Sequence, residues 1–112
     1  MPTPGNDVFQ AIAEPNRREI LSLLAQGERP VGFIAATLSL TQPTTSKHLA
    51  VLREVGVVSV RRQGRERLYA LRAERIRAVH EWTRTFERFW ASQTDRIKAR
   101  AEASARAAEN KP

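Results

Sequence analysis

The stretch that decides the fold runs from Leu40 to Leu71, LTQPTTSKHLAVLREVGVVSVRRQGRERLYAL. Up to Val55 its apolar residues recur at helical spacing. Beyond Gly56, which stops the helix, the β-branched run Val57, Val58, Ser59, Val60 favours a strand. Arg67 to Leu71 supplies a return strand, and Gly64 between them suits the positive φ of a hairpin tip. A short helix followed by a basic hairpin is expected.

Thr41 is a good N-cap for that helix, and Pro43 falls in its first turn, where a missing backbone donor costs nothing. On a wheel of ~100° per residue, Thr45, Leu49, Leu52 and Gly56 share one sector with Val55 close by, so this is the core side. Pro43, Thr44, Lys47 and Val51 lie opposite, flanked by Ser46 and His48. Short hydroxyls, a cation and an imidazole can hydrogen-bond phosphates or base edges, and small side chains allow close approach to a groove floor. The plain alternative is an ordinary polar surface. Between the strands lie Arg61, Arg62 and Arg65, and Arg67 opens the return strand. Arginines on a hairpin tip can follow a nucleic-acid backbone or enter a narrow minor groove. Cationic residues also keep exposed edges soluble, but four arginines in seven residues exceed that need.

The charge distribution points the same way. The 112 residues carry a formal net charge of +7, and most of the excess sits between residues 42 and 72, where seven Lys or Arg meet only Glu54 and Glu66. A localised basic surface is what phosphate neutralisation requires. The length suits one domain with one modest core, and 41% hydrophobic with 28% charged residues is ordinary for a folded chain. There is no cysteine, which removes disulfides and thiolate metal sites. The start, MPTPGND, has no basic region followed by an apolar core, and no apolar run approaches a membrane span. A cytoplasmic, nucleoid-associated protein without membrane contact is expected.

Elsewhere the pattern is helical. Asp7 can cap a first helix with Val8, Ile12 and Phe9 on its apolar face, and the junction Glu14, Pro15, Asn16 starts a second. That second helix buries Ile20, Leu21, Leu23 and Leu24, stops at Gly27, and carries Arg17 and Arg18 towards solvent. From Pro30, the residues Val31, Ile34, Ala35 and Leu38 make a third helix ending near Ser39, the first half of a helix-turn-helix. A last helix begins at Ala73 or Glu74 and continues past Arg100. Ile76, Val79, Thr83, Phe86, Trp90, Gln93 and Ile97 recur along it, with Trp82 and Phe89 widening the stripe. So broad an aromatic face predicts a two-fold homodimer in which the first and last helices pair, through Val8, Phe9, Ile12, Val79, Trp82, Phe86, Phe89 and Trp90.

The expected fold is mainly α with a small β-hairpin (α+β), a winged helix-turn-helix. Five helices have the hairpin between the fourth and fifth, and the protein is dimeric through its terminal helices. Residues 1–6 are a flexible tail, residues 7–97 the DNA-binding and dimerisation domain, and residues 98–112 a tail that is helical and then frays.

The order of elements, the run QPTTSKHLAVLREVGVVSVRRQGRERLYAL and the earlier AEPNRREILSLL resemble the ArsR-type winged helix-turn-helix repressors over roughly residues 7 to 90. The resemblance implies a homodimeric bacterial transcriptional regulator, usually a repressor, whose fourth helix enters the major groove of double-stranded DNA while the wing lies alongside. It assigns helix contacts to Gln42, Thr44, Ser46, Lys47 and His48, and wing contacts to Arg61, Arg62, Arg65 and Arg67, on a pseudo-palindromic operator. Metal-sensing members carry a pair of thiolates where this chain has Pro30, Val31 and Gly32, none of which can ligate. His80, with Glu81, Glu87 and Asp95 scattered around it, is a poor substitute for converging donors. No metal, no cofactor and no legible effector site are expected.

An enzyme would need a nucleophile with its base, paired carboxylates or a phosphate-cradling glycine loop, and five scattered glycines with two separated histidines supply none. A winged-helix adaptor for RNA or protein is the remaining alternative, because fold alone does not fix function. Such adaptors put apolar or acidic groups where this helix carries Thr44, Ser46 and Lys47.

Overall fold

The computed structural model describes the backbone of residues 4–109 and the side chains of residues 8–91 and 96–107. The chain divides into two compact units, Met1–Val79 and His80–Pro112.

The first unit contains α1 (Pro4–Ile12), α2 (Pro15–Leu24), β1 (Arg29–Pro30), α3 (Val31–Leu38), α4 (Gln42–Glu54), β2 (Val58–Gln63) and β3 (Glu66–Leu71), followed by a 3₁₀ turn at Ala73–Ile76. Its core takes Val8 and Ala11 from α1, Ile20, Leu21 and Leu24 from α2, Ile34 and Ala35 from α3, and Leu49 and Leu52 from α4, together with Val57 and Val58. Thr45 is the one fully buried polar residue among the described residues, and its hydroxyl donates to the Thr41 carbonyl oxygen at 2.8 Å, so burial leaves it satisfied. The inward sector expected for α4 is therefore the observed one.

Helix α1 starts at Pro4, so Asp7 lies inside it rather than at its cap. Val8 is buried in the core of its own chain, beneath the surface on which a dimer contact was expected, whereas Ile12 and Val79 are partly buried against that core. Arg17 and Arg18 do not simply face solvent. Arg17 Nε donates to the Ala11 carbonyl at 2.6 Å, and Arg18 Nη1 donates to those of Ile12 and Ala13 at 2.8 and 3.2 Å. The carbonyls at the end of α1 have no intrahelical donor, so two guanidiniums close the helix and oppose its negative end.

Helix α4 ends in a Schellman turn. Val57 N–H bonds the Leu52 carbonyl at 3.1 Å and Gly56 N–H that of Arg53 at 3.0 Å, with Gly56 at φ 84. The apolar contact that accompanies such turns is supplied by Val57 and Leu52, both fully buried. The chain then enters the sheet in a fixed direction.

The sheet has three antiparallel strands in the order β1-β3-β2 rather than the expected two. Arg29 pairs with Tyr69 and Pro30 with Leu68, while β2 and β3 pair from Val58↔Leu71 to Gln63↔Glu66. The hairpin closes through Gly64 and Arg65. Positive φ occurs at Gly64 and not at Arg65, the pattern of a type II′ turn, which matches the twist of the strands.

From Arg77 at the end of the first unit onward, the chain does not form one continuous helix. Helix α5 (Arg77–Arg84) gives way to α6 (Glu87–Glu109) through tight turns in which the N–H groups of Thr85, Phe86 and Phe89 bond carbonyls three residues back. β-Branched Thr83 and Thr85 disfavour the helix here, and the Thr83 hydroxyl bonds the His80 carbonyl at 3.1 Å. Trp82 and Phe86 span the break edge to face, with ring centroids 5.4 Å apart. Gln93 lies outside the residues whose side chains are described.

Candidate nucleic-acid interface

The reading helix is set by its N-terminus. Thr41 accepts a bond from Thr44 N–H at 3.2 Å, the N-cap arrangement, and its own hydroxyl donates to Thr44 Oγ1 at 2.8 Å. Thr44 thereby keeps its hydroxyl proton for an outside acceptor. Before it, α3 closes at Ser39 in the left-handed conformation (φ 57), and Leu40 N–H bonds the Ala35 carbonyl at 2.9 Å. A three-residue connection thus joins the two helices of the helix-turn-helix. Gln42, Thr44, Ser46 and Lys47 are all exposed.

Hairpin register sorts the arginines. Val58, Val60, Tyr69 and Leu71 share the face turned to the core, so alternation puts Arg62 and Arg67 on that same face beyond the core's edge, directly opposite each other. Arg65 occupies the tip. All three are exposed and have no ion pair among the described residues. Between the wing and α4 lies an open cleft of about 520 Å³, lined by Gln42 and Ser46 from α4, Arg65, Glu66, Arg67 and Tyr69 from the hairpin, Pro30 of β1 and residues 31–33 from the start of α3. Helix and wing therefore border one concave surface.

Two of the expected contacts are engaged elsewhere. His48 has a side chain only 15% exposed, with Nδ1 3.5 Å from Arg17 Nη1 and 3.7 Å from Glu14 Oε2. It faces the start of α2, where Glu14 caps the helix by accepting Arg17 N–H at 3.0 Å. Burial pushes the Glu14 carboxyl up, but the backbone N–H groups of Asn16 and Arg17 and the charges of His48 and Arg17 bring it below its ordinary value. Arg61 forms a two-pronged ion pair with Glu28. Its Nε donates to Oε2 at 3.0 Å and its Nη2 to Oε1, and Nη2 also meets Gln63 Oε1 at 3.1 Å. The hydrogen bond from Arg61, with its charge, holds the Glu28 carboxyl below the usual carboxylate value, and the same bond raises Arg61.

These supporting residues were not legible in the chain. Glu14 and Arg17 sit in the run that opens the second helix and Glu28 in no motif, but the pairing with His48 and Arg61 spans about thirty residues, beyond the reach of local periodicity. Pro30, Val31 and Gly32 offer no side-chain donor and line the cleft. Among the described residues no group of three or more His, Cys, Asp or Glu could hold a metal ion, and no helix is long and apolar enough to cross a membrane.

A helix-turn-helix whose second helix shows a polar, cationic face beside an arginine-rich hairpin is the DNA-binding module of winged-helix transcriptional regulators. Residues 14–60 match the profile of the bacterial regulatory proteins of the ArsR family. The chain is 36% identical over 81 residues to the transcriptional repressor SdpR of Bacillus subtilis, an alignment covering 72% of this chain and 90% of that one. It is 34% identical over 74 residues to the transcriptional activator HlyU of Vibrio cholerae, covering 66% and 68%. Among solved structures, the homodimeric winged helix-turn-helix DNA-binding domain of a possible ArsR-family regulator from Mycobacterium bovis superposes with a TM-score of 0.64 at 32% identity, over 75% of this chain and 80% of that one. This protein belongs to the ArsR family.

Proposed function

We propose that this protein is a homodimeric, cytoplasmic repressor that recognises a pseudo-palindromic operator and is confined with it to the nucleoid. The observation that carries the reading is the shared cleft. Gln42 and Ser46 of α4 border the same concavity as Arg65 and Arg67 of the wing, so base-edge donors and phosphate-neutralising charge address one duplex together. Gln42, Thr44, Ser46 and Lys47 are the helix contacts, and Arg62, Arg65 and Arg67 are the wing contacts. Dimerisation is supported by the exposed aromatic residues of the second unit and by the homodimeric state of the M. bovis domain. Repression is supported by the likeness to SdpR.

Selection of duplexes from a random-sequence library by the purified protein, followed by footprinting, tests the reading. Two protected half-sites related by a two-fold axis and about 34 Å apart are expected. Protection without two-fold symmetry would refute the dimer, and preference for RNA of the same sequence over the duplex would favour the adaptor reading. Transcription in vitro from a promoter overlapping the selected site should fall on adding protein, and a rise would make it an activator.

A further inference from the structure

Resting on the reading above, we propose that Glu28 and Arg61 form a strut that sets the angle of the wing against the reading helix, and that Arg61 is a positioning residue rather than a phosphate contact. Three features of the geometry carry this.

The first is where the pair runs. In the order β1-β3-β2, the residues Pro30, Leu68 and Arg61 lie in one row across all three strands. Arg61 is on the face turned away from the core, and Glu28 stands two residues before Pro30. The ion pair therefore crosses the central strand and ties the outer strand of the wing to the segment that leads into α3. Backbone pairing on that side is short, only Arg29 with Tyr69 and Pro30 with Leu68. The far half of the hairpin has no other neighbouring strand to hold it.

The second is occupancy. Arg61 presents its Nε and Nη2 to both oxygens of one carboxylate, and Nη2 also meets the Gln63 side chain. Two-pronged pairs of this kind fix orientation as well as charge. The guanidinium is committed within the protein, on the opposite face of the hairpin from Arg62 and Arg67.

The third is need. Arg62 and Arg67 are direct cross-strand partners, and like charges in that relation push the strands apart. A brace on the other face restrains the splaying that their repulsion favours.

A strut and a phosphate contact predict opposite signs for loss of the acid. Removing a carboxylate near DNA makes the protein more positive and strengthens binding to any polyanion. Removing one end of a strut weakens binding in spite of the added charge. The test measures affinity for the duplex selected by the wild-type protein, across a salt series, for Glu28→Gln, Arg61→Gln, the double variant and the charge swap Glu28→Arg with Arg61→Glu. Under the strut, either single variant loses about threefold to fivefold in affinity and keeps the wild-type salt slope. The double variant loses no more than either single, and the swap regains most of the loss. Melting midpoints unchanged between variants separate an altered wing from a destabilised fold. The proposal is overturned if Glu28→Gln binds more tightly while Arg61→Gln and the swap each lower the salt slope by about 0.9, because Arg61 then meets a phosphate that Glu28 competes for. Failure of the wild-type protein to bind any duplex would remove the DNA-binding reading itself, a result distinct from either sign.

Discussion

Arg62 and Arg67 face each other across the wing as a cross-strand pair, two like charges on one side of a hairpin without an ion pair to either among the described residues. In the free protein this arrangement is unfavourable, and a phosphate placed between them reverses its sign. Function and stability should therefore respond oppositely. Arg62→Thr, which substitutes a good strand former, should raise the melting midpoint by about 1–3 °C while lowering the salt slope of DNA binding by about 0.9. Calorimetry and a salt series check the two arms; a variant that loses stability and keeps its slope would show that Arg62 serves the hairpin and not the duplex.

The cap of the reading helix is a second point of leverage. Thr41 satisfies Thr44 N–H and also holds the Thr44 hydroxyl. Thr41→Ala should cost about 1 kcal/mol in stability, and Thr41→Ser, which keeps the oxygen, should recover most of it. DNA affinity should follow the same order, read by denaturant melts and titration of the selected duplex.

Gly56 carries the turn from α4 into the wing at φ 84, and a Cβ there would also come within 3.3 Å of the Arg75 Nε. Gly56→Ala should cost about 1–2 kcal/mol from the left-handed backbone alone. Gly64→Ala, at φ 65 with open space around it, should cost a similar backbone term without the contact. A larger loss at Gly56 than at Gly64 in urea melts is the expected order.

What could be read from the chain was whatever local chemistry dictates. The burial of Thr45, Leu49 and Leu52 followed from the helical period, and the hairpin from the β-branched Val57, Val58 and Val60 and the turn residue Gly64. Strand β1 was missed because two residues, one of them a proline, carry no period that distinguishes strand from loop. The break after Arg84 was missed because the apolar stripe continues through Phe86 and Trp90 although Thr83 and Thr85 interrupt the backbone. At the site, the exposed face of α4 was legible, but the commitments of His48 and Arg61 were not. A polar residue on the rim of a helix or wing points outward by pattern, and only the fold reveals a carboxylate waiting within reach.

Acid should loosen the fold in part through Glu14. Its folded-state pKa lies below the ordinary carboxylate value of 4.5, so the unfolded chain takes up the proton first as pH falls. The contribution of this group is full above that ordinary value and is lost as pH drops through the lower, folded one. Glu14→Gln should therefore be less stable than wild type near neutrality and should approach it as pH falls below about 4.5. Equal pH dependence of the two proteins in denaturant melts would assign the acid sensitivity to other carboxylates, such as Glu28 or Glu74, which are lowered likewise.

The large apolar residues of the second unit remain exposed, with Trp82 at 57%, Phe86 at 38%, Phe89 at 59%, Trp90 at 47% and Ile97 at 71%. Five large apolar side chains within sixteen residues are more than an isolated surface usually leaves in water. A second copy of the same chain is the partner that brings two reading heads to a two-fold site. Phe86→Ser with Trp90→Ser should yield monomers at concentrations where wild type is dimeric, measured by sedimentation. Because the second head then no longer binds as part of the same molecule, affinity for the full operator should fall about a hundredfold or more, while affinity for a single half-site stays at the wild-type value. A monomeric variant that keeps full operator affinity would break the link between this patch and DNA reading, and a variant still dimeric would move the interface elsewhere on the chain.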